Sequence, residues 1–230
     1  MPGSVVTIGI FDGVHKGHQE IIKRAVAIAK ERGLRSIALT FDRHPLETLK
    51  PEEKPDLLTP LPEKISLIKK LGIDHIVVLE FDKEFSQLSP EEFLRRSLLP
   101  LDVKEIIVGQ GFRFGQGRTG DTRFLEEYGK KNNINVLIQE LIQIGGQKAG
   151  SSLIRRLLRE GDIDKVSEML SRFPTVRGVV VHGDKRGRAL GFPSVNIHPS
   201  KGTCLPKVGV YAGLVSFDKS RKRSAINIGY

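Results

Sequence analysis

Tryptophan is absent from this 230-residue chain, tyrosine occurs three times, and cysteine once, at Cys204. A single cysteine excludes an internal disulfide framework and fits a reducing compartment. No apolar run approaches the ~20 residues that a membrane-spanning helix needs. The Met-Pro-Gly-Ser start lacks the basic and apolar segments of a secretory signal. These absences predict a cytoplasmic protein with no membrane partner. Negative charge is also short: 37 Lys and Arg stand against 27 Asp and Glu, a net charge of +10. A basic surplus suits polyphosphate ligands or nucleic acid. Yet the bases are dispersed, and they are not interleaved with aromatics as single-strand binding favours, so nucleic acid is not expected as a partner. The densest cluster, Lys219-Ser220-Arg221-Lys222-Arg223, reads as a solvated hairpin tip.

What is present is an alternation of short β-rich runs and helical patterns, the signature of parallel βα units. Residues 5–10 form a near-continuous apolar run, as in a strand buried on both faces. Ile21, Ile22, Ala25, Ile28 and Ala29 then make a helical stripe ending at Gly33, a glycine placed to stop a helix. Further strands are expected at 36–41, 75–79, 105–108 and 135–138. Ser89-Pro90-Glu91-Glu92 predicts a capped helix start with proline in the first turn. Helices are expected at 151–160, with Ser151 or Ser152 as N-cap and Gly161 as stop, and at 163–170. Past Phe173-Pro174 the texture turns β-rich, with runs at 177–182 and 209–217. The reading is therefore a parallel-sheet α/β domain over 1–173 and a second, β-rich domain over 174–230.

The chemistry sits between the first strand and the first helix, in Gly9-Ile10-Phe11-Asp12-Gly13-Val14-His15-Lys16-Gly17-His18. A strand, a Gly/His loop and a helix aim backbone N–H groups and the positive end of a helix dipole at one spot, which suits phosphate. Two histidines add donors that can follow charge developing on phosphorus. The loop lacks the GxGxxG spacing of dinucleotide sites and the lysine-Ser/Thr of a P-loop. His15 and His18 also invite a zinc reading, but no further ligands are obviously placed. Near a polyphosphate an imidazole is expected to become cationic. Ser151-Ser152-Leu153-Ile154-Arg155 is a second anion cradle, since Arg155 falls one helical turn after Ser151. Taken alone, that segment reads better as a capped amphipathic helix with a surface arginine.

Taken together, these segments resemble the prokaryotic bifunctional riboflavin kinase/FMN adenylyltransferases, or FAD synthetases. The likeness covers essentially the whole chain. It rests on Gly9 to His18, on Thr40-Phe41-Asp42-Arg43-His44-Pro45, on Val108 to Gly115 with Phe112-Arg113-Phe114-Gly115, on Ser151 to Arg155, and on Gly187-Arg188-Ala189-Leu190-Gly191-Phe192-Pro193-Ser194-Val195-Asn196. It implies a Rossmann-like nucleotidyltransferase domain followed by an incomplete β-barrel riboflavin kinase domain, with Mg²⁺, ATP and FMN or riboflavin as cofactor and substrates. By the same resemblance His15, His18, Ser151 and Arg155 are catalytic, and Gly9, Phe11, Asp12, Gly17 and Ser152 bind ATP. His44, Pro45, Phe112 and Arg113 lie near the flavin. Gly183, Lys185 and Gly187 hold the kinase nucleotide, and Ser194 with Asn196 holds its metal. The sequence departs from the family pattern at three positions: Gly111 for Asp or Asn, Gly150 for the first serine of the serine run, and Ser194 for threonine. The chain stops within a further family motif, so it is expected to be a truncated form without kinase activity.

Overall fold

Every residue of strand β1 (Ser4–Ile8) is buried, as a continuous apolar run predicts for a strand covered on both faces. The computed structural model describes residues 3–140, 142–182, 194–217 and 220–229. The chain divides into two compact units, Met1–Ser151 and Ser152–Tyr230. In the first, β1 is followed by α1 (Lys16–Arg32), β2 (Arg35–Phe41), α2 (Pro45–Leu49), α3 (Leu61–Lys69), β3 (His75–Leu79), α4 (Lys83–Ser86), α5 (Pro90–Leu98), β4 (Val103–Gly109), α6 (Thr122–Asn132) and β5 (Asn135–Gln139). A two-residue-per-strand hairpin, β6 (Gln143–Ile144) and β7 (Gln147–Lys148), closes the unit.

The five strands form one sheet in the order β3-β2-β1-β4-β5, each pair parallel. From β1 the chain winds outward to β2 and β3, and later crosses back to β4 on the other side. The carboxyl end of β1 is thus the switch point where ligands of open α/β sheets bind. Side chains alternate across the sheet. Val6, Ile8, Leu39, Ile106 and Val108 join one core with Phe93, Leu94 and Leu125. Val5 and Ile107 face Ala25 and Ala29 of α1 on the other side.

Local signals hold where expected. Gly33 ends α1 at φ 65°, a left-handed conformation open to glycine. Ser89 and Glu92 form a reciprocal capping box at α5. Two short helices, α2 and α4, together with α3, α6 and the β6–β7 hairpin, add to the expected elements.

The second unit carries α7 (Ser151–Glu160) into α8 (Ile163–Leu170), then β8 (Gly178–Val181), β9 (Asn196–Pro199), β10 (Gly209–Phe217) and β11 (Ser220–Ile228). Among the described residues its strands make two antiparallel ladders, β8–β9 and β10–β11. Gly161 turns the chain at φ 85°, and Leu158 O accepts from Lys207 N at 2.9 Å. Two expectations need correction. Because α7 already begins at Ser151, Gly150 precedes the helix and both serines fall in its first turn. The basic residues Arg221, Lys222 and Arg223 are exposed, as expected, but they are strand rather than turn, pairing with Ser216, Val215 and Leu214.

Candidate active site

The loop after β1 is strained. Phe11 has φ 52°, Gly13 84° and Val14 40°, and for non-glycine residues, β-branched ones above all, a left-handed backbone is an outlier that surrounding structure must impose. Three contacts impose it. The Asp12 carboxylate accepts from Leu58 N at 3.0 Å and from Thr59 N at 3.0 Å. Gly13 N donates to Thr59 Oγ1 at 2.9 Å. Phe11 and Val14 are buried with Ile22, Ala38 and Ile68, each contributing about 1.5–3 kcal/mol of apolar burial. Gly9 is required, since a Cβ there would sit 2.8 Å from the folded-back Phe11 ring.

His15 takes the N-cap position of α1 with no side-chain cap, and the first turn carries no acidic residue. The terminal N–H groups and dipole of α1 therefore meet no acidic side chain from the helix's own first turn. The two imidazoles stack, centroids 3.7 Å apart, and His18 meets the Phe11 ring edge-on at 5.3 Å. A Cβ on Gly17 would lie 3.2 Å from the His15 ring, so this glycine makes the seat for that imidazole. His18 Nδ1 is buried with no hydrogen-bond partner among the described residues. Burial first, then the neighbouring His15, then Lys64, holds the His18 imidazole well below its ordinary range. The cationic imidazole expected beside a polyphosphate is thus neutral in the ligand-free protein, because nothing anionic offsets its burial.

Ser151 Oγ donates to Asp12 O at 2.8 Å, tying the serine run to the same loop. Ser152 and Arg155 belong to the second unit, where Ser152 is exposed and Arg155 buried. Beside the loop lies a cleft lined by Ile10, Asp12, Arg43, His44, Thr59 and Lys64. His44 caps α2, its Nδ1 accepting from Leu46 N at 3.2 Å, and Pro45 opens that helix. Burial works to raise the Asp42 carboxyl, but hydrogen bonds from Arg43 and Phe81 N outweigh it and hold the group below its usual range. Phe112 stacks on buried Phe114 at 5.2 Å, and Arg113 pairs with Asp121 at 3.2 Å. A Cβ at Gly111 would lie 3.9 Å from Lys148 Nζ, an ordinary van der Waals contact.

Both oxygens of the Asp12 carboxylate accept from the backbone at Leu58 and Thr59. Gly183, Lys185 and Gly187 lie outside the described residues. Ser194 and Asn196 are exposed, and Asn196 opens β9. Lys64 and Thr59 are site residues that sequence reasoning missed. The available signal was Lys64 one turn before Ile68 on the buried face of α3. Among the described residues no group of three His, Cys, Asp or Glu could hold a metal ion, and no helix is long and apolar enough to cross a membrane.

A family model described as FAD synthetase matches residues 1–153, and one described as riboflavin kinase matches residues 170–230. Over 229 residues the chain is 37% identical to the bifunctional riboflavin kinase/FMN adenylyltransferase of Listeria monocytogenes, covering 98% of this chain and 72% of the relative. The Bacillus subtilis protein of the same name is 35% identical over 228 residues, with 99% and 72% covered. A Streptococcus pneumoniae crystal structure, described as a macrolide-efflux protein, superposes with a TM-score of 0.89 at 29% identity, covering 99% of this chain and 74% of that one.

Proposed function

This chain belongs to the bifunctional riboflavin kinase/FMN adenylyltransferase family, with an FAD synthetase part and a riboflavin kinase part, and from that premise we propose that its first unit transfers the adenylyl group of ATP to FMN. A phosphate oxygen of FMN attacks the α-phosphorus of ATP. The new P–O bond forms as the bond to the bridging oxygen breaks, and pyrophosphate leaves. The observation that carries this reading is the stacked His15–His18 pair on an uncapped, acid-free helix N-terminus. Donors already aimed at the reacting phosphates need no reorganisation as charge builds, which is where electrostatic catalysis gains most. Phosphoryl-type transfer asks for positioning and charge stabilisation rather than a protein nucleophile.

The residue roles follow the same reading. Gly9, Phe11, Asp12 and Gly17 shape the loop that receives ATP, Asp12 by holding its backbone and Gly17 by seating His15. Ser151, Ser152 and Arg155 are assigned to the ATP phosphates on the resemblance of their segment. His44, Pro45, Phe112 and Arg113 are assigned to the flavin. Phe112 supports this by presenting a half-buried ring braced on Phe114. Mg²⁺ is assigned to the triphosphate of ATP, where it would neutralise charge on the leaving pyrophosphate. We place the functional boundary at Pro174. Beyond it the exposed hydroxyl of Ser194 and amide of Asn196 are hard-oxygen groups suited to Mg²⁺, with Gly183, Lys185 and Gly187 as nucleotide contacts. A reaction on ATP and a flavin fits a cytoplasmic setting.

The test is to incubate the chain with FMN, ATP and Mg²⁺ and separate the products. FAD and pyrophosphate in equal amounts, lost on chelating the metal, are expected. Folded protein that binds ATP and yields no FAD overturns the reading.

A further inference from the structure

Lys64 is 5% exposed, and the transfer chemistry above does not use it. Its ammonium donates to Ile10 O at 3.1 Å and to Phe41 O at 2.9 Å. Those carbonyls lie just beyond β1 and at the end of β2, so one side chain joins the histidine loop to the segment that runs on into Asp42, Arg43 and His44. We propose that Lys64 is a positioning residue of the adenylyl-transfer site, fixing the histidine loop to the end of β2 and placing a buried cation beside His18.

The physical case rests on what burying an ammonium demands. Such a charge is expensive unless hydrogen-bonded and offset. Here two strand-end carbonyls accept from it, and the carboxylates of Asp12 and Asp42 favour its charged form. Burial draws the Lys64 ammonium down to about 8, which leaves it mostly charged at neutral pH. An apolar residue at this place would pack without needing those partners. The cation acts on His18 in the same direction as His15 does, toward the neutral imidazole. Lys64 also lines the cleft with Arg43 and His44, so loss of its tether would loosen both the loop and the cleft. Misplacing reacting groups by about 1 Å can slow a reaction ~10²-fold.

The kinetic arm of the test rests on the adenylyl-transfer reading; the titration arm does not. In the ligand-free full chain, the His18 ring protons are followed by NMR against pH in wild type, Lys64→Gln and Lys64→Arg. Glutamine keeps hydrogen-bonding capacity and loses the charge, whereas arginine keeps the charge. The His18 midpoint is expected to rise in Lys64→Gln and to return toward wild type in Lys64→Arg. Turnover is expected to fall about 10–100-fold in Lys64→Gln, with KM for ATP changed far less, and to recover partly in Lys64→Arg. An unmoved His18 midpoint, or wild-type turnover in Lys64→Gln, overturns the proposal. Should Lys64→Gln not fold, Lys64→Arg decides: retained turnover upholds the proposal, and lost turnover at a wild-type melting temperature overturns it. If the wild type makes no FAD, the reaction assignment fails while the His18 titration still judges Lys64.

Discussion

His15 and His18 lie face to face, their ring centroids 3.7 Å apart and their planes 22° from parallel. Two cationic rings would repel at that distance, and the surroundings of His18 already exclude charge. The His18 imidazole is therefore held toward its neutral form in the ligand-free protein, and an arriving anion would favour its protonation. ATP binding is expected to take up protons near pH 7 and to tighten as the pH falls from about 8 to 6. Titration calorimetry in buffers of differing ionisation heat measures that uptake, and His18→Asn should remove most of it. Binding with no buffer dependence contradicts this account.

His18→Ala should lower adenylyl transfer by about 10²–10³ while the protein stays folded, because it removes a preorganised donor from developing charge. Arg155→Ala should act in the same direction. Steady-state rates of FAD formation check both, with thermal melts as the control. Unchanged turnover in either variant returns that residue to a structural role.

The same histidine sets a pH dependence of stability. Its folded-state pKa lies well below the ordinary 6.5, so below that pH the unfolded chain binds a proton that the native protein refuses. The native advantage is fully present above about 6.5 and declines as the pH drops toward the depressed value. Urea unfolding of wild type should show this decline between pH 7 and 5, and His18→Asn should flatten it. An identical slope in the two proteins would argue that His18 is already charged in the fold.

Asp12→Ala should destabilise the first unit. It leaves Leu58 N and Thr59 N buried without their acceptor, and each such loss costs about 1–3 kcal/mol. It also releases the loop that holds Phe11 and Val14 at positive φ. Asp12→Asn keeps one acceptor oxygen and should cost less. Chemical denaturation gives both values, and a neutral Asp12→Ala would show that the loop is held chiefly by its buried Phe11 and Val14.

Much of this protein was legible from local pattern. The run at 5–10 reads as a doubly covered strand because apolar content on both faces needs no partner to be recognised, and β1 is indeed central. Gly33 and the Ser89/Glu92 box mark helix ends through interactions spanning a few residues. The histidine loop was recognisable for the same reason: His15, Gly17 and His18 are neighbours in sequence before they are neighbours in space.

What only the tertiary structure decided lies in contacts between distant segments. Nothing near Asp12 in sequence reveals that its carboxylate serves Leu58 and Thr59. Likewise, position 64 shares a helical face with Ile68, but only the packing of α3 brings its ammonium to the carbonyls of Ile10 and Phe41. The depression of the His18 pKa also emerges only on folding, since burial above all, then the stacked His15 and Lys64 of another helix, cause it. Sequence pattern carries backbone preference and hydrophobic period, which are short-ranged. Charge state and polar partnership depend on which groups share a dry space, and the packed fold determines that.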